Sequence, residues 1–484
     1  MTVTTALSPR YASVNPYTNE LVESFPFATD EEVDAALDAA QDAFESWRSV
    51  PLAERAAIIA RAAELIDERA DELARLSTLE MGKLYSESLV EVRDLSGAIL
   101  SWVAANAAEA LQPVPIASSI ADQEFMVVYQ PEGIVLEIEP WNGPIYQAIR
   151  GFAPAVVAGN VVILKHAESV PQCAAALIEL LRDAGLPAGV WQNLYATHDQ
   201  IDRIIADPRV RAVTLTGSER AGRVIGAKAG AALRKSVLEL GGSDAFIVLD
   251  DADLDETITG AMFAKFFVSG QVCISAKRMI VLDAVYDAFV ERFTAAIAEL
   301  QPGDPFLPET TLAPLSSQAQ ADRVKAQIAA AVAAGATATE VGVPVPDTGA
   351  FVQPTLLTGI TAASPVYYEE IFGPVPMLFR VPDVEAAIEL ANDSPFGLSG
   401  SVWSRDVGRA VEVAKRLDTG MVSVNEPFAD TAIDLPLGGV KNSGYGCELG
   451  IEGLRAFSNA KSITLPVGVH ARYDAAGNDA VVDS

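Results

Sequence analysis

Apolar runs alternate with amphipathic helical segments from Gly133 to Val424, and this alternation constrains the fold more than any other feature of the sequence. The runs at 134–138, 161–164 and 210–215 are apolar at nearly every position. Strands of this kind are buried on both faces, as in a parallel sheet that is covered by helices on either side. We therefore predict an α/β fold of doubly wound parallel sheets.

The alternation falls into two blocks, the second running from Ala245 to Val424. A chain of 484 residues is also too long for one ordinary hydrophobic core. Two α/β blocks that join near Gly241-Gly242 would leave a cleft between them. Ahead of the first block, Thr29 to Glu32 predicts a capping box at the start of a helix. A second helix is predicted from Pro51 toward Leu76.

The bulk composition excludes several functional classes. The formal net charge of −31 disfavours binding to nucleic acid. Three cysteines and three histidines are scattered without the spacing of metal ligands or of a disulfide framework, so no metal site is predicted and a reducing cytoplasm fits best. Neither a secretory signal nor an apolar run of the ~20 residues that span a bilayer is present, so no membrane partner is expected.

A carboxylate and a thiol lie on either side of the predicted join. Glu239 ends an apolar run, and Cys273 follows 273 − 239 = 34 positions later, which leaves room for one strand and one helix between them. A thiolate is a potent nucleophile, and a nearby carboxylate can act as a general base. From the residues alone, a buried structural cysteine and a solvated glutamate are the commoner assignments.

The run 211–215 is followed by Thr216-Gly217-Ser218 and a segment rich in small residues. A helix that begins after such a turn presents backbone amides and its positive dipole end to a pyrophosphate. This is not the Gly-x-Gly-x-x-Gly fingerprint, and small residues also serve plain helix-sheet packing. Both interpretations remain open at this point.

Together, these segments resemble a known family. Leu238-Glu239-Leu240-Gly241-Gly242 and Gly270-Gln271-Val272-Cys273 are similar to the two signature segments of the NAD(P)-dependent aldehyde dehydrogenases. Further similar segments follow in the family's order: Pro140-Trp141-Asn142, Leu164-Lys165-His166-Ala167-Glu168, Thr216-Gly217-Ser218, Glu369-Glu370-Ile371-Phe372-Gly373-Pro374 and Pro436-Leu437-Gly438-Gly439-Val440-Lys441-Asn442-Ser443-Gly444. The resemblance covers residues 15–466 and is closest to the succinate-semialdehyde dehydrogenase branch.

The resemblance implies a covalent mechanism. Cys273 would attack the aldehyde, Asn142 and the backbone amide of Cys273 would stabilise the oxyanion, and Glu239 would activate the water that hydrolyses the thioester. A CoA-acylating relative would not need that base, so Glu239 favours release of the free acid. A non-catalytic binding protein is the alternative of another class, and it is disfavoured because all of these groups occur together.

The resemblance also implies a nicotinamide cofactor. The residues expected to contact it are Trp141, Lys165, Glu168, Gly217, Ser218, Leu240, Glu370 and Phe372. A carboxylate at Glu168 accepts hydrogen bonds from ribose hydroxyls and repels a 2′-phosphate, so NAD is expected to be preferred. NADP is the alternative, because Lys165 and His166 can partly compensate.

For the substrate, the resemblance points to Arg150, which can pair with the distal carboxylate of succinate semialdehyde or a similar small semialdehyde. Arg150 can equally be a structural ion-pair partner. Gly143 stands where the family usually has Phe, Phe267 stands where many members of the branch have arginine, and the loop 425–434 is acidic. These departures suit a bulkier neutral aldehyde, aromatic or sugar-derived, almost as well.

The family's architecture assigns residues 1–111 and 131–241 to a Rossmann-like NAD-binding domain and residues 242–457 to the catalytic domain. A hairpin at 112–130 and a strand at 458–470 would form a small β element for assembly into a homodimer or homotetramer, and 471–484 would be a tail. Cys447 occupies a position where the family usually has arginine, and the sequence offers no functional account of it.

Overall fold

The structure, a computed structural model, describes residues 11–428 and 432–466. The predicted tail, the last residues of the predicted strand 458–470 and Asp430 of the acidic loop lie outside these ranges. Over the described ranges, no helix combines the length and the apolar character needed to cross a membrane.

Strands occur throughout the described residues. In chain order they are β1 Tyr11–Asn15, β2 Glu20–Phe25, β3 Val114–Ile116, β4 Gln123–Pro131, β5 Ile134–Ile138, β6 Val161–Lys165, β7 Trp191–Asn193, β8 Val210–Thr216, β9 Lys235–Glu239, β10 Asp244–Val248, β11 Ala276–Leu282, β12 Thr337–Glu340, β13 Thr355–Thr358, β14 Met377–Val381, β15 Phe396–Gly397, β16 Gly400–Trp403, β17 Ser423–Val424, β18 Val440–Lys441, β19 Gly444–Tyr445 and β20 Ser458–Pro466.

Helices fill the intervals between these strands. In chain order they are α1 Asp30–Trp47, α2 Leu52–Glu68, α3 Ala70–Met81, α4 Tyr85–Leu89, α5 Ala98–Leu111, α6 Tyr146–Val157, α7 Pro171–Asp183, α8 His198–Ala206, α9 Glu219–Ala231, α10 Leu254–Phe266, α11 Asp283–Ala298, α12 Gln318–Ala333, α13 Val384–Asn392, α14 Val407–Ala414 and α15 Gly450–Arg455. A π-helix, Val90–Gly97, joins α4 to α5.

Two main sheets confirm the predicted α/β fold. The first has the order β19-β9-β8-β5-β6-β7, and the second has the order β12-β13-β14-β11-β10-β16-β17. Their strands run parallel except at one edge of each sheet, where β19 pairs antiparallel with β9 and β12 pairs antiparallel with β13. The central strands β5, β6 and β10 are buried along almost their whole length, as strands covered by helices on both faces must be.

The two sheets are consecutive in the chain at the predicted join. Strand β9 of the first sheet ends at Glu239, and β10 of the second begins at Asp244. Only Leu240 to Ser243 separate them, so the carboxyl end of β9 faces the second sheet. The end of a parallel strand is where ligands of open α/β sheets bind.

A third, antiparallel sheet has the order β20-β4-β3. Strand β20 pairs with β4 along its whole length, from Ser458 opposite Pro131 to Pro466 opposite Gln123. The predicted hairpin 112–130 and the C-terminal strand therefore do lie together. Whether they assemble subunits remains a prediction.

Of the two helices predicted near the N-terminus, the first begins as predicted and the second is broken into two. Thr29 caps α1, and its side chain and that of Glu32 form the reciprocal bonds of the predicted capping box. The helix predicted from Pro51 toward Leu76, in contrast, is broken at Arg69, whose backbone φ of −106° and ψ of 17° are not helical. The break changes the chain direction, so that α2 packs on α5 while α3 packs on α7 and β1. One continuous helix could not bury both apolar faces.

Candidate active site

The predicted base is held at the end of β9. Glu239 is 3 % exposed, and its backbone carbonyl accepts a 2.9 Å hydrogen bond from the amide of Gly217, at the end of the neighbouring strand. Leu240, the next residue, donates its amide to the carbonyl of Ser443 at 3.0 Å. The carboxyl group of Glu239 has no hydrogen-bond partner among the described residues. It is therefore fixed by its backbone and available to a ligand.

Cys273, the predicted nucleophile, follows a strained turn. Val268 and Ser269 adopt φ of 53° and 52°, and Gly270 follows at 77°. Left-handed backbone is costly for a β-branched residue such as valine and is found where surrounding contacts impose it. Here the Val268 amide donates to the carboxylate of Glu87 at 2.8 Å, and the Ser269 hydroxyl donates to the carbonyl of Ala313 at 2.8 Å. Cys273 follows this turn by three residues and is partly exposed.

Asn142 lies against the same turn. Its side-chain amide donates to the carbonyl of Gln271 at 3.1 Å, two residues before Cys273. Gln271 is fully buried, and its side-chain Oε1 accepts from the amide of Ser316 at 2.9 Å, which fixes the residue in place. An amide NH₂ group has two hydrogens, and the second remains for an oxyanion next to the thiol.

Two adjoining clefts share one wall. We call the first the arginine cleft; its lining includes Gly143, Arg150, Phe267 and Leu437. We call the second the glycine cleft; its lining includes Trp141, Gly217, Ser218, Glu370 and Phe372. The residues that line both clefts are Asn142, Gln147, Glu239, Leu240 and Cys273. The structure thus brings the three predicted catalytic residues together between two separate binding spaces.

The electrostatic surroundings of Glu239 favour the protonated form of its carboxyl group. Burial raises the pKa of Glu239 well above its ordinary value, the charge of Glu448 raises it further, and Arg150 opposes the shift. A raised pKa suits a carboxylate that must take a proton from water near neutral pH.

Arg150 lies in the arginine cleft but is already paired. Its Nε donates to Glu448, and its Nη2 donates to the hydroxyl of Thr216 at 3.1 Å. Arg150 and Glu448 are each 2 % exposed. The structure therefore shows the ion pair that the sequence left open as an alternative.

Gly143 and Phe267 are both in the wall of the arginine cleft. Phe267 stacks on Phe263, with ring centroids 4.9 Å apart. The ring centroids of Phe267 and Phe428 are 6.2 Å apart. A side chain at position 143 would meet Gln147 at 3.4 Å and Glu91 at 3.6 Å, so glycine leaves space there. In the acidic loop, Glu426 and Asp434 are exposed and neither lines this cleft in the described part of the chain.

The glycine cleft lies at the N-terminus of α9. Ser218 is the N-cap, and its side-chain oxygen accepts from the amide of Ala221 at 3.3 Å. The small residues farther along this helix are explained by packing: a Cβ at Gly222 would lie 2.3 Å from a Leu240 methyl group. Helix-sheet packing therefore explains the body of the segment, and pyrophosphate binding at its start stays a prediction.

Aromatic and charged side chains form the opposite side of the glycine cleft. Trp141 and Phe372 meet edge to face, with centroids 5.6 Å apart. Lys277 is fully buried, and its ammonium contacts Glu370 at 3.1 Å and the carbonyl of Cys273 at 2.5 Å. One lysine therefore connects the nucleophile's backbone with the predicted cofactor carboxylate.

Lys165 is the last residue of β6, and Glu168 follows three residues later. Lys165 is 8 % exposed, and its ammonium is 4.0 Å from the Glu168 carboxylate, which is 43 % exposed. Burial lowers the pKa of Lys165, and Glu168 opposes that shift. Lys165 also lines a third pocket, between α8 and α9, together with Ile201, Leu215 and Val224. Charged side chains, among them Asp202, Arg220 and Lys228, complete the wall of this pocket.

Several residues of the arginine cleft were not predicted from the sequence, and two of them are charged, Lys83 and Glu91. They form an ion pair of 2.5 Å in which both side chains are 2 % exposed. Glu448 was also assigned no role. Its neighbour Cys447 is partly exposed, and burial, followed by the charge of Glu239, raises the pKa of the Cys447 thiol. The contact of Lys83 with Asn142 and that of Glu448 with Arg150 join segments 59 and 298 residues apart, so no sequence pattern indicates them.

Comparison with known proteins places this molecule among the oxidoreductases. The model of the aldehyde dehydrogenase family matches residues 3–463, and the chain belongs to that family. It is 48 % identical over 467 residues to a succinate-semialdehyde dehydrogenase [NADP(+)] of Deinococcus radiodurans, covering 96 % of this chain and 97 % of the relative.

Further relatives agree in sequence and in fold. A succinate-semialdehyde dehydrogenase [NADP(+)] of Mycolicibacterium paratuberculosis is 42 % identical over 97 % of this chain and 99 % of the relative. The crystal structure of succinic semialdehyde dehydrogenase from Streptococcus pyogenes in complex with NADP+ superposes with a TM-score of 0.92 at 41 % identity. That superposition covers 94 % of this chain and 100 % of the other. The predicted family and fold are confirmed.

Proposed function

We propose that the protein oxidises an aldehyde to the carboxylic acid, with Cys273 as nucleophile, Glu239 as general base and Asn142 as oxyanion donor. The observation that carries this proposal is the wall shared by the two clefts. A covalently bound aldehyde on Cys273 would face the arginine cleft with its carbon chain and the glycine cleft with its reacting hydrogen.

Each step assigns one task to a residue of this chain. The Sγ of Cys273 forms a bond to the carbonyl carbon, and the oxygen becomes anionic beside the Asn142 amide. The glycine cleft, with Trp141, Glu370 and Phe372 in its wall, would hold the nicotinamide that supplies a hydride acceptor, and loss of the hydride would leave a thioester on Cys273. Glu239 then takes a proton from water, whose oxygen attacks the thioester carbon. The carbon–sulfur bond breaks, and the acid leaves.

The buried, unpartnered carboxyl of Glu239 supports hydrolysis over acyl transfer to CoA. Its raised pKa makes the ionised carboxylate a stronger base toward water than an ordinary glutamate. An acyl transfer to an external thiol would not require a base at this position.

Succinate semialdehyde is the substrate that we propose first. The named relatives oxidise it. In this chain, Arg150 lines the arginine cleft, and Glu448 and Thr216 hold two of its guanidinium nitrogens in place. A neutral aromatic or sugar-derived aldehyde is the second candidate, because Phe267 and Phe428 add an apolar wall and Gly143 leaves space.

For the cofactor, two observations point in different directions. The relatives carry NADP(+) in their names, which supports use of NADP by this chain. Glu168, beside Lys165, supports a preference for NAD, since a carboxylate repels a 2′-phosphate. We propose that both are accepted and that NAD is the better cofactor.

The antiparallel sheet supports self-association into a homodimer or homotetramer. Strand β20 is exposed along most of its length and lies at the edge of that sheet. An exposed strand edge of nine residues is a ready partner for another strand. We propose the cytoplasm as the location, which suits a catalytic thiol.

The decisive experiment is a set of initial rates of reduced cofactor formation. The panel holds succinate semialdehyde, benzaldehyde and a sugar-derived aldehyde, each with NAD and NADP, with and without CoA. We expect oxidation that does not depend on CoA and is abolished in Cys273→Ala. Oxidation that persists in Cys273→Ala would refute the covalent mechanism, and a requirement for CoA would refute the role of Glu239.

A further inference from the structure

The loop that carries Asn142 is held by two buried side chains from outside the two main sheets. Glu91 lies in the π-helix Val90–Gly97, and Lys83 precedes α4. Both line the arginine cleft and neither belongs to the mechanism above. Single turns of π-helix are commonly associated with functional sites.

Glu91 contacts the start of α6 with one carboxylate oxygen. Oε1 accepts from the backbone amides of Ile145 at 2.8 Å and Tyr146 at 3.0 Å. The first amides of a helix lack partners within it, and a carboxylate stabilises the positive end of the helix dipole. The segment that follows Asn142 is thereby fixed from outside its own element.

The second carboxylate oxygen of Glu91 contacts Lys83. Oε2 accepts from the hydroxyl of Ser77 at 2.9 Å and from the ammonium of Lys83 at 2.5 Å. Lys83 in turn donates to the backbone carbonyl of Asn142 at 3.3 Å. The pair therefore binds the loop at both ends, at the carbonyl of Asn142 and at the amides of Ile145 and Tyr146.

These contacts leave Asn142 with little freedom. Its carbonyl is held by Lys83 and its side chain donates to the carbonyl of Gln271. The carbonyl of Gly143, next in sequence, accepts from the amide of Gln147 at 2.8 Å, and the carbonyl of Pro144 lies 2.8 Å from Nε2 of His166. The buried ion pair adds the contact that joins the Asn142 carbonyl to the start of α6.

We propose that Lys83 and Glu91 are positioning residues of this enzyme, which act on the reaction through Asn142. This inference rests on the proposed function, because it assumes that Asn142 stabilises the oxyanion. A displaced donor loses stabilisation of the transition state while substrate binding is little changed. Misplacement of a catalytic group by about 1 Å can cost about 100-fold in rate.

The test is a double-mutant cycle with Glu91→Gln and Asn142→Ala, measured on kcat and KM for aldehyde oxidation. Glu91→Gln is expected to lower kcat by about 10- to 100-fold with little change in KM. Asn142→Ala alone is expected to cost about 100- to 1,000-fold. If Glu91 acts through Asn142, the double variant is no slower than Asn142→Ala. Losses that multiply would overturn the proposal.

Glu80→Gln provides a matched control. Glu80 is also buried, and its carboxylate likewise accepts from two amides at the start of a helix, those of Gln172 at 3.0 Å and Cys173 at 2.9 Å. It does not touch the Asn142 loop, so kcat should stay near the wild-type value. A kcat loss in Glu80→Gln equal to that in Glu91→Gln would show a general folding effect and would overturn the proposal.

If Glu91→Gln does not fold, Lys83→Met takes its place in the cycle. Lys83→Met directly removes the hydrogen bond to the Asn142 carbonyl. The outcomes distinguish a failure of the proposed function from a failure of the positioning role alone. A wild-type protein without aldehyde oxidation, or full activity in Asn142→Ala, would overturn the proposed function and this inference with it. Full activity in Glu91→Gln and Lys83→Met, together with an inactive Asn142→Ala, would overturn this inference alone.

Discussion

Arg150 and Glu448 are 298 residues apart in sequence and form an ion pair in the interior, each 2 % exposed. The pair lies beside Glu239, whose pKa it affects from both sides: Glu448 raises it and Arg150 lowers it. An arginine that is bound in this way is pre-organised, because its guanidinium cannot rotate away from the cleft. It is also costly to disturb, since removal of one partner leaves a buried charge.

The first prediction concerns substrate choice. In Arg150→Gln, kcat/KM for succinate semialdehyde should fall about 10- to 100-fold more than kcat/KM for butanal, which has the same carbon chain without the carboxylate. A hydrogen bond between charged groups contributes about 1.5–3 kcal/mol, which corresponds to that factor. Only the ratio of the two substrates is diagnostic, because the variant also leaves Glu448 unpaired.

Glu448→Gln is the control for this ratio. It breaks the same ion pair but keeps the guanidinium, so the preference for succinate semialdehyde over butanal should remain near its wild-type value. If Arg150→Gln slows both aldehydes equally, Arg150 is only a structural partner, and the neutral-aldehyde candidate gains support.

The second prediction concerns the pH dependence of acyl-enzyme hydrolysis. Because burial and the charge of Glu448 raise the pKa of Glu239, the base is protonated and inactive over a wider range of pH than an ordinary glutamate. The hydrolysis rate should therefore rise with pH through a midpoint well above the ordinary 4.5. Cys273 is acylated in this step, so its own titration does not contribute. Single-turnover kinetics would measure the rate.

In Glu239→Gln the rising limb should disappear, and hydrolysis should slow by about 100- to 10,000-fold. A burst of one reduced cofactor per site should remain, because hydride transfer precedes the step that needs the base. A midpoint that stays near 4.5 in the wild type, or loss of the burst together with hydrolysis, would contradict this role for Glu239.

The third prediction concerns stability. Burial raises the pKa of Glu139 well above 4.5, and the neighbouring Glu137 and Glu448 raise it further, while Arg150 opposes them. Above pH 4.5 the folded state keeps a proton that the unfolded state releases, so stability is lost as pH rises toward the folded pKa. Glu139→Gln removes this dependence.

The unfolding temperature of Glu139→Gln should therefore exceed that of the wild type by a margin that grows as the pH rises above 4.5. Differential scanning fluorimetry at matched ionic strength would measure it. Glu109→Gln, a change at an exposed position on α5, should show no such growth. A margin that is constant or shrinks with pH would mean that Glu139 is ionised in the folded protein.

Much of the fold was predictable because it depends on local patterns. The alternation of apolar runs and helices from Gly133 onward predicts the two parallel sheets, and Thr29 predicts the start of α1. Patterns of this kind report burial and capping, which are set by near neighbours in sequence. The break at Arg69 was missed because it arises from the different packing partners of α2 and α3.

The site residues that match the family's motifs were predictable from the sequence. The site residues that are defined only by tertiary contacts were not. Glu239, Cys273 and Asn142 do line a common wall. The ion pair of Lys83 with Glu91 was out of reach, because its contact with the Asn142 loop spans 59 residues and leaves no periodic signal. The left-handed Val268 was also unpredictable, since valine by itself avoids that conformation.

The last prediction concerns cofactor choice at Glu168, whose carboxylate lies 4.0 Å from the ammonium of Lys165. Glu168→Ser should raise kcat/KM for NADP relative to NAD by about 10-fold or more, because it removes a charge that repels the 2′-phosphate and leaves Lys165 to attract it. The measurement is kcat/KM for both cofactors in each protein. Glu179→Ser, at an exposed position on α7, should leave the ratio unchanged. A wild type that already prefers NADP, with the same ratio in Glu168→Ser, would show that Glu168 does not select the cofactor.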